Sequence, residues 1–327
     1  MDRLWLINPD AEQELAAFSE ETKAASQGRS VTHKQFSLIK DRFLPLTAGE
    51  SCQLISEFSQ PSPSPLAEGT QLVPWCPTAN LKRVVEKYLG RSVCFPPMSL
   101  LQMLNDKSQL NRWPDFVAEG RTLITHSEQL LDLIHSQRWC SYDSQQRDVG
   151  SGGRPTVRMK RRFGQAGRGQ WRVNEYLSPL DRRFIHDGLK HGALVVEPEL
   201  DAVGHYSLHG VVAPGETYLG YLCTLETDRF SAPTRVSVLH ALSHKDEQRH
   251  ERASQIVTGV SSTMRELGYL GPFGIDFVET KEDQLIMVDL NVRFTLGWST
   301  GLADRRLAAL KLLPDYLNLS SFPAAPH

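Results

Sequence analysis

Gly271-Pro272-Phe273-Gly274-Ile275-Asp276-Phe277-Val278, then Lys281-Glu282-Asp283, then Leu285-Ile286-Met287-Val288-Asp289-Leu290-Asn291-Val292-Arg293 is a pair of apolar-rich runs around a polar turn. The pattern predicts a β-hairpin. A turn centred between Glu282 and Asp283 pairs Glu279 with Ile286 and Asp276 with Asp289. Opposed residues of an antiparallel ladder share a face, with side chains about 5 Å apart. Side chains alternate along a strand, so Asp289, Asn291 and Arg293 lie on that face too. Isolated acidic residues on strands are ordinarily solvated charges. Asp276 and Asp289 instead sit inside apolar runs, where burying an unpaired carboxylate is costly. Two facing carboxylates call for a positive charge between them. Mg²⁺, a hard ion that takes oxygen ligands and few protein carboxylates, suits Asp276, Asp289 and Asn291. Arg293 beside them suits a phosphate or a developing anion.

Upstream, Arg158-Met159-Lys160-Arg161-Arg162-Phe163-Gly164-Gln165-Ala166-Gly167-Arg168-Gly169 sets a lysine at a strand end before three glycines. Glycines let backbone N–H groups approach a phosphate closely. The spacing is not GxxxxGK[ST], which argues against a P-loop. On its own such a loop is equally compatible with an unstructured turn or an RNA contact.

Around these two segments strands and helices alternate. Leu4–Ile7 reads as a strand and Asn8-Pro9-Asp10 as the start of a helix through Phe18. Ser59–Gly69 is a Pro/Ser loop, and Leu72–Trp75 is strand-like. Thr78 caps a helix over Leu81, Val84, Val85 and Leu89 that Gly90 closes. Thr125 with Glu128 predicts a capping box for the next helix. Strands are expected at Thr156–Lys160, Trp171–Tyr176, Ala193–Glu197, Tyr206–Val212 and Tyr218–Thr224, with a helix from Ser178 to Gly192. A long helix follows Ser243, with Ala253, Ile256, Val257, Val260, Met264 and Leu267 on one stripe. No GxGxxG occurs, so a dinucleotide fold has no support.

At 327 residues the chain needs two or three packed domains. A net charge of −2 argues against a protein built to coat nucleic acid. Leu4–Ile7 is too short for a signal-peptide core, and no apolar run is long enough to span a membrane. Five scattered cysteines without a CxxC pair read as reduced thiols of a cytoplasmic protein.

Taken together, the lysine-ended strand, the Gly-rich loop, Val195-Val196-Glu197-Pro198-Glu199-Leu200, the Ser243–Leu267 helix, Asp276 and Asp289-Leu290-Asn291-Val292-Arg293 resemble, in order, the ATP-grasp superfamily. D-alanine–D-alanine ligase and biotin carboxylase belong to that superfamily. The resemblance covers about residues 105–302. It implies an α/β (α+β) chain with an N-terminal domain at 1–105, a lid at 106–200 and a C-terminal domain at 201–320. It further implies ATP with Mg²⁺ (or Mn²⁺) as cofactors. Lys107 of Asn105-Asp106-Lys107, Lys160, Gly164, Gly167, Arg168 and Gly169 would contact the phosphates. Glu197 and the backbone around Leu200 would bind the adenine edge, Asp276, Asp289 and Asn291 would hold the metal, and Arg293 with Lys160 would serve catalysis. The implied activity is ligation of a small, amino-acid-like carboxylate to an amine through an acyl phosphate. Phosphorylation of a small molecule and nucleotide sensing by a decayed site are the alternatives, and a homodimer is expected by analogy. Asp201 and His209 are candidate sugar or substrate contacts, with an ordinary surface position the favoured reading, and Thr295, Gly297 and Trp298 are expected near the acceptor. The chain departs from the family at Asp289, where glutamate is usual, and in the extra charge of Arg161 and Arg162.

Overall fold

The computed structural model describes residues 3–8, 10–18, 43, 46–48, 50–54, 70–135, 157–164, 169–173, 177–190, 192–228, 233–240 and 243–316. Among them are three sheets. A parallel sheet joins β1 (Arg3–Ile7) to β2 (Ser51–Leu54) and β3 (Gln71–Pro74), in order β2-β1-β3. An antiparallel sheet of order β4-β7-β5-β6 holds β4 (Thr122–Ile124), β5 (Val157–Arg161), β6 (Gln170–Val173) and β7 (Leu194–Pro198). We call this the lid sheet. The largest sheet runs β10-β9-β8-β11-β12 and comprises β8 (Ala202–Val212), β9 (Thr217–Thr227), β10 (Pro233–Val238), β11 (Gly271–Thr280) and β12 (Leu285–Asn291). Strands β2, β4 and β10 are not anticipated by the sequence reading. They are short or lie at sheet edges, where alternation is weak.

The helices follow their caps. Helix α1 covers Ala11–Phe18, and α2 (Ala79–Leu89) starts where the Thr78 hydroxyl accepts from the Leu81 N–H (3.5 Å) and ends on left-handed Gly90 (φ 63°). Helix α3 is Met98–Asn105, and a 3-10 turn over Lys107–Arg112 follows it. Helix α4 (Ser127–His135) does not use the expected Thr125–Glu128 box. Gln129 Oε1 instead accepts from the N–H groups of Thr125 (2.7 Å) and His126 (3.1 Å). Helix α5 is Pro179–Leu189, and α6 (His244–Glu266) buries Ala253, Ile256, Val257, Val260 and Met264. Short α7 (Trp298–Leu302) and α8 (Arg306–Lys311) complete the described chain.

The deciding hairpin pairs Asp276 with Asp289 and Gly274 with Asn291. Its turn differs from the expectation, because Glu279 pairs with Leu285, not Ile286. Lys281-Glu282-Asp283 form a three-residue loop in which Thr280 N donates to Gln284 O (2.9 Å) and Asp283 is left-handed (φ 57°). The register then shifts between Asp276 and Phe277, with Val288 left as the extra residue. That bulge restores the aspartate pair and frees the Val288 carbonyl from the ladder.

Two of the hydrophobic clusters position the cleft. Trp5, Ile7, Val73 and Trp75 from the parallel sheet pack in one cluster with Leu208, Val211, Phe273, Ile275 and Phe294 of the large-sheet region. The Trp5 and Phe294 rings meet edge-on at 4.8 Å. Buried Arg306 stitches the same seam, donating to Glu50 (2.8 Å), the Thr47 carbonyl (3.0 Å) and Ser299 (3.0 Å). The lid sheet encloses a separate cluster of Ile124, Leu130, Ile134, Val157, Met159, Val173, Ile185, Leu194 and Val196.

Candidate functional site

The cleft between lid sheet and large sheet has a volume of about 560 Å³. Its large-sheet wall begins with Asp276 and Asp289. Burial, then the charge of Asp289, push the Asp276 carboxyl up to about 7. Asn291 accepts from Arg293 Nη1 (2.7 Å), and the other guanidinium nitrogen pairs with Glu12 in the first turn of α1. The Arg293 guanidinium also lies 5.4 Å from the Trp75 ring centre. The end of this wall is pinned from behind, where buried Asn105 accepts from the Val292 N–H (2.9 Å).

Opposite stand the cations. Lys107 Nζ lies 2.5 Å from Asp289 Oδ1. Its backbone N–H donates to the Arg162 carbonyl (2.9 Å), while Asp106 accepts from Arg162 Nε (2.8 Å). Lys160 Nζ donates to the carbonyl freed by the bulge, Val288 O, at 3.1 Å. It also pairs with Glu197, which a second cation, Arg121, grips from the other side. Burial and the like charge of Arg121 depress the Lys160 ammonium below its ordinary value. Burial pushes Glu197 up, but Lys160 and Arg121 together hold it below the usual carboxylate range. One carboxylate between two cations accounts for the direction at Glu197, whereas at Lys160 burial outweighs the attraction of that carboxylate.

The lid loop contributes Gly164 and Gly169 to the cleft. Gly169 is left-handed (φ 82°), and its carbonyl accepts from Arg161 N at 2.7 Å, which closes the β5–β6 connection. Gly167 and Arg168 lie outside the described residues. At the other end of β7, Leu200 lines the cleft and Glu199 accepts from Arg158 (2.8 and 2.5 Å) and Arg172 (2.7 Å).

His209 departs from expectation. It is 2% exposed and lines the cleft, contacting Ser207 Oγ (3.0 Å) and Thr295 Oγ1 (3.2 Å). Burial lowers its imidazole to about 4, so it is neutral at physiological pH. Gly274 and Gly301 make its seat, since a Cβ on either would come within 2.7 or 2.4 Å of the ring. The missed signal was alternation: His205, Ser207 and His209 share one polar face of β8. Asp201 is exposed and pairs with Lys281. Thr295 and Gly297 line the cleft, whereas Trp298 is wholly buried and donates to the Gly210 carbonyl (3.1 Å). Arg121, Glu12 and Asn105 were not singled out, because each acts through a partner distant in sequence.

A parallel N-terminal sheet, a small antiparallel lid sheet and a larger antiparallel sheet with a charged cleft between the latter two make up the ATP-grasp fold. No protein-family sequence model and no curated protein sequence matches the chain. Solved structures do. A biotin carboxylase from Campylobacter jejuni aligns with a TM-score of 0.59 at 12% identity, over 100% of this chain and 72% of its own. D-cycloserine synthetase aligns at 0.54 and 12%, over 95% and 99%. D-alanyl-alanine synthetase A from Vibrio cholerae aligns at 0.53 and 12%, over 94% and 93%. Among the described residues no helix is long and apolar enough to cross a membrane.

Proposed function

We propose that the chain is an ATP-dependent carboxylate–amine ligase that works through an acyl phosphate and releases ADP and phosphate. The observation that carries this reading is the convergence of Lys107, Lys160, Asp276, Asp289, Asn291 and Arg293 on one cleft from sequence positions as far apart as 107 and 293. Similarity to solved ligases and synthetases, one determined with a nucleotide analogue, supports it at the level of the fold. The domain division proposed with it is 1–105, 106–200 and 201–320.

Mg²⁺ (or Mn²⁺) fits the donor set. Among the described residues no group of three or more acidic, His or Cys side chains is placed to hold a metal ion by itself. Two carboxylates and an amide suit an ion that keeps several ligand positions for phosphate and water. Asp276 has only like charge as its immediate neighbour on the strand pair, which marks a place for a cation. When bound, the ion would neutralise the phosphate oxygens of the nucleotide.

The chain's own residues do the rest. Lys107 and Lys160 hold phosphate charge from the lid side, and the loop glycines Gly164 and Gly169 offer backbone N–H groups; Gly167 and Arg168 are assigned to the same contact on the sequence alone. The backbone at Leu200 marks the base end, beyond Glu197, whose carboxylate is held by Lys160 and Arg121. Arg293, immobilised by Glu12 and Trp75, stabilises negative charge on the acyl phosphate and on the adduct that forms when the amine attacks. No protein nucleophile is required, because positioning and charge neutralisation suffice. The test is an ADP-release screen of small carboxylic acids and amines, singly and in pairs, with mass detection of condensed products. Acid- and amine-dependent ADP release with a condensed product is expected. ADP release without an amine and with a phosphorylated product would replace ligation by phosphotransfer. ATP binding with no ADP from any pair would leave a nucleotide sensor.

A further inference from the structure

Arg121 precedes the three-residue strand β4 and is buried, with its side chain 2% exposed. Its two terminal nitrogens go to different segments. Nη1 meets the Glu197 carboxylate, and Nη2 donates to the Lys107 carbonyl at 2.6 Å. Glu197 in turn holds Lys160. One guanidinium is therefore joined to both lysines that face the phosphate end of the cleft, through a carboxylate on one side and a backbone carbonyl on the other. Its Nε is buried without a hydrogen-bond partner. Burying a guanidinium with an unsatisfied donor is poor design for stability alone, where an apolar side chain serves as well or better.

We propose that Arg121 is a positioning residue for phosphate binding, fixing the Lys107 and Lys160 segments together and sharing the charge of Glu197 so that Lys160 keeps a positive field toward the cleft. This rests on the nucleotide-binding reading of the cleft. Without Arg121, Glu197 and Lys160 form a neutral buried pair and the local charge falls from +1 to zero. The Lys107 carbonyl simultaneously loses its anchor. A lysine at the same position restores the charge but not the reach to two acceptors, since an ammonium lacks the planar fork.

The experiment compares binding of ATP and of adenosine to the full chain carrying Arg121→Met, Arg121→Lys or Lys160→Met, with thermal unfolding followed in parallel. Arg121→Met should weaken ATP at least tenfold and leave adenosine within twofold, because only the phosphates feel the lysines. Arg121→Lys should fall between Met and the unaltered chain for ATP, again with adenosine unchanged. Unchanged ATP affinity in Arg121→Met overturns the proposal, as does an equal loss of ATP and adenosine, which is what a merely structural arginine would give. If the Met variant does not fold, Arg121→Lys is judged by the same ATP-against-adenosine comparison. Lys160→Met separates the two levels. If it too leaves ATP untouched, the nucleotide reading of the cleft fails; if it alone weakens ATP, only the role of Arg121 fails.

Discussion

The lid sheet and the large sheet solve the problem of burial differently. The large-sheet region shares its core with the N-terminal parallel sheet, through Trp5, Trp75, Phe273 and Phe294 and the partly buried Arg306–Glu50 pair. The lid sheet closes over its own cluster around Met159, Leu194 and Val196. Between lid and large sheet the contacts include polar ones at the cleft, Lys107 with Asp289 and Lys160 with the Val288 carbonyl, and one apolar one, Phe163 after β5 against the shared core. Parting two separately cored bodies requires exchanging polar contacts with water or ligand, whereas parting two that share a core exposes apolar surface. The carboxylates and Arg293 thus sit on the anchored body, and Lys160 on the one whose core does not depend on it. That suits the proposed nucleotide site, which would have to admit its ligand and then exclude water.

The comparison breaks most clearly in the cores. Phe273→Ala should cost about 3–5 kcal/mol. Hydrogen exchange should then rise in both β1–β3 and β8–β12, since the cluster belongs to both. Leu194→Ala should cost about 2–5 kcal/mol and raise exchange in β4–β7 with little change in the other two sheets. Equal loss of protection across all three sheets in the second variant would mean that the lid has no independent stability. Across the cleft, Lys160→Ala should weaken nucleotide binding about 100-fold, or ~2.7 kcal/mol, in a titration below the unfolding temperature. Affinity within threefold of the unaltered chain would remove Lys160 from the phosphate site.

How far sequence carries this architecture depends on the range of the interactions. The facing of Asp276 and Asp289 followed from period-two alternation and one polar turn, all within 14 residues. Even there the turn is displaced, and the pairing survives because the bulge at Val288 offsets the odd loop. That offset is a backbone event without a residue signature at position 288. The Thr78 and Gly90 caps were legible because capping is chemistry between neighbours. Arg121 with Glu197 spans 76 positions and Arg293 with Glu12 spans 281, and no local pattern registers such partners. His209 falls between these cases. The alternation that exposes it was present in β8, but a histidine among Leu208, Gly210 and Val211 becomes a cleft residue only once Gly274 and Gly301 make room for its ring.

The smaller effects concern protons on the anchored wall, in the absence of nucleotide and divalent ions. Asp276 has a folded-state pKa raised from 3.8 to about 7. The folded chain therefore holds a proton that the unfolded chain has lost between those values. Stability contributed at this position falls as pH rises through that window and is fully lost above pH 7. Asp276→Asn should raise stability at pH 8 by on the order of 2 kcal/mol while abolishing divalent-dependent activity, and should change little near pH 4. An unaltered or lower unfolding temperature at pH 8 would mean that the paired aspartates are not in conflict. His209 acts in the opposite sense and less strongly. Its folded pKa is lowered from 6.5 to about 4, so the unfolded chain takes up the proton first as pH falls. Its contribution is complete above pH 6.5 and is lost on acidification toward pH 4, on the order of 1–2 kcal/mol. His209→Gln should remove that acid-side loss and leave the opposite slope of Asp276 uncompensated, whatever it does to absolute stability through lost packing. A slope identical to that of the unaltered chain would show that the imbalance lies in other groups and that the imidazole is solvated. Because the two residues pull in opposite directions over nearly the same pH range, the double variant should be flatter between pH 4 and 7 than either single one.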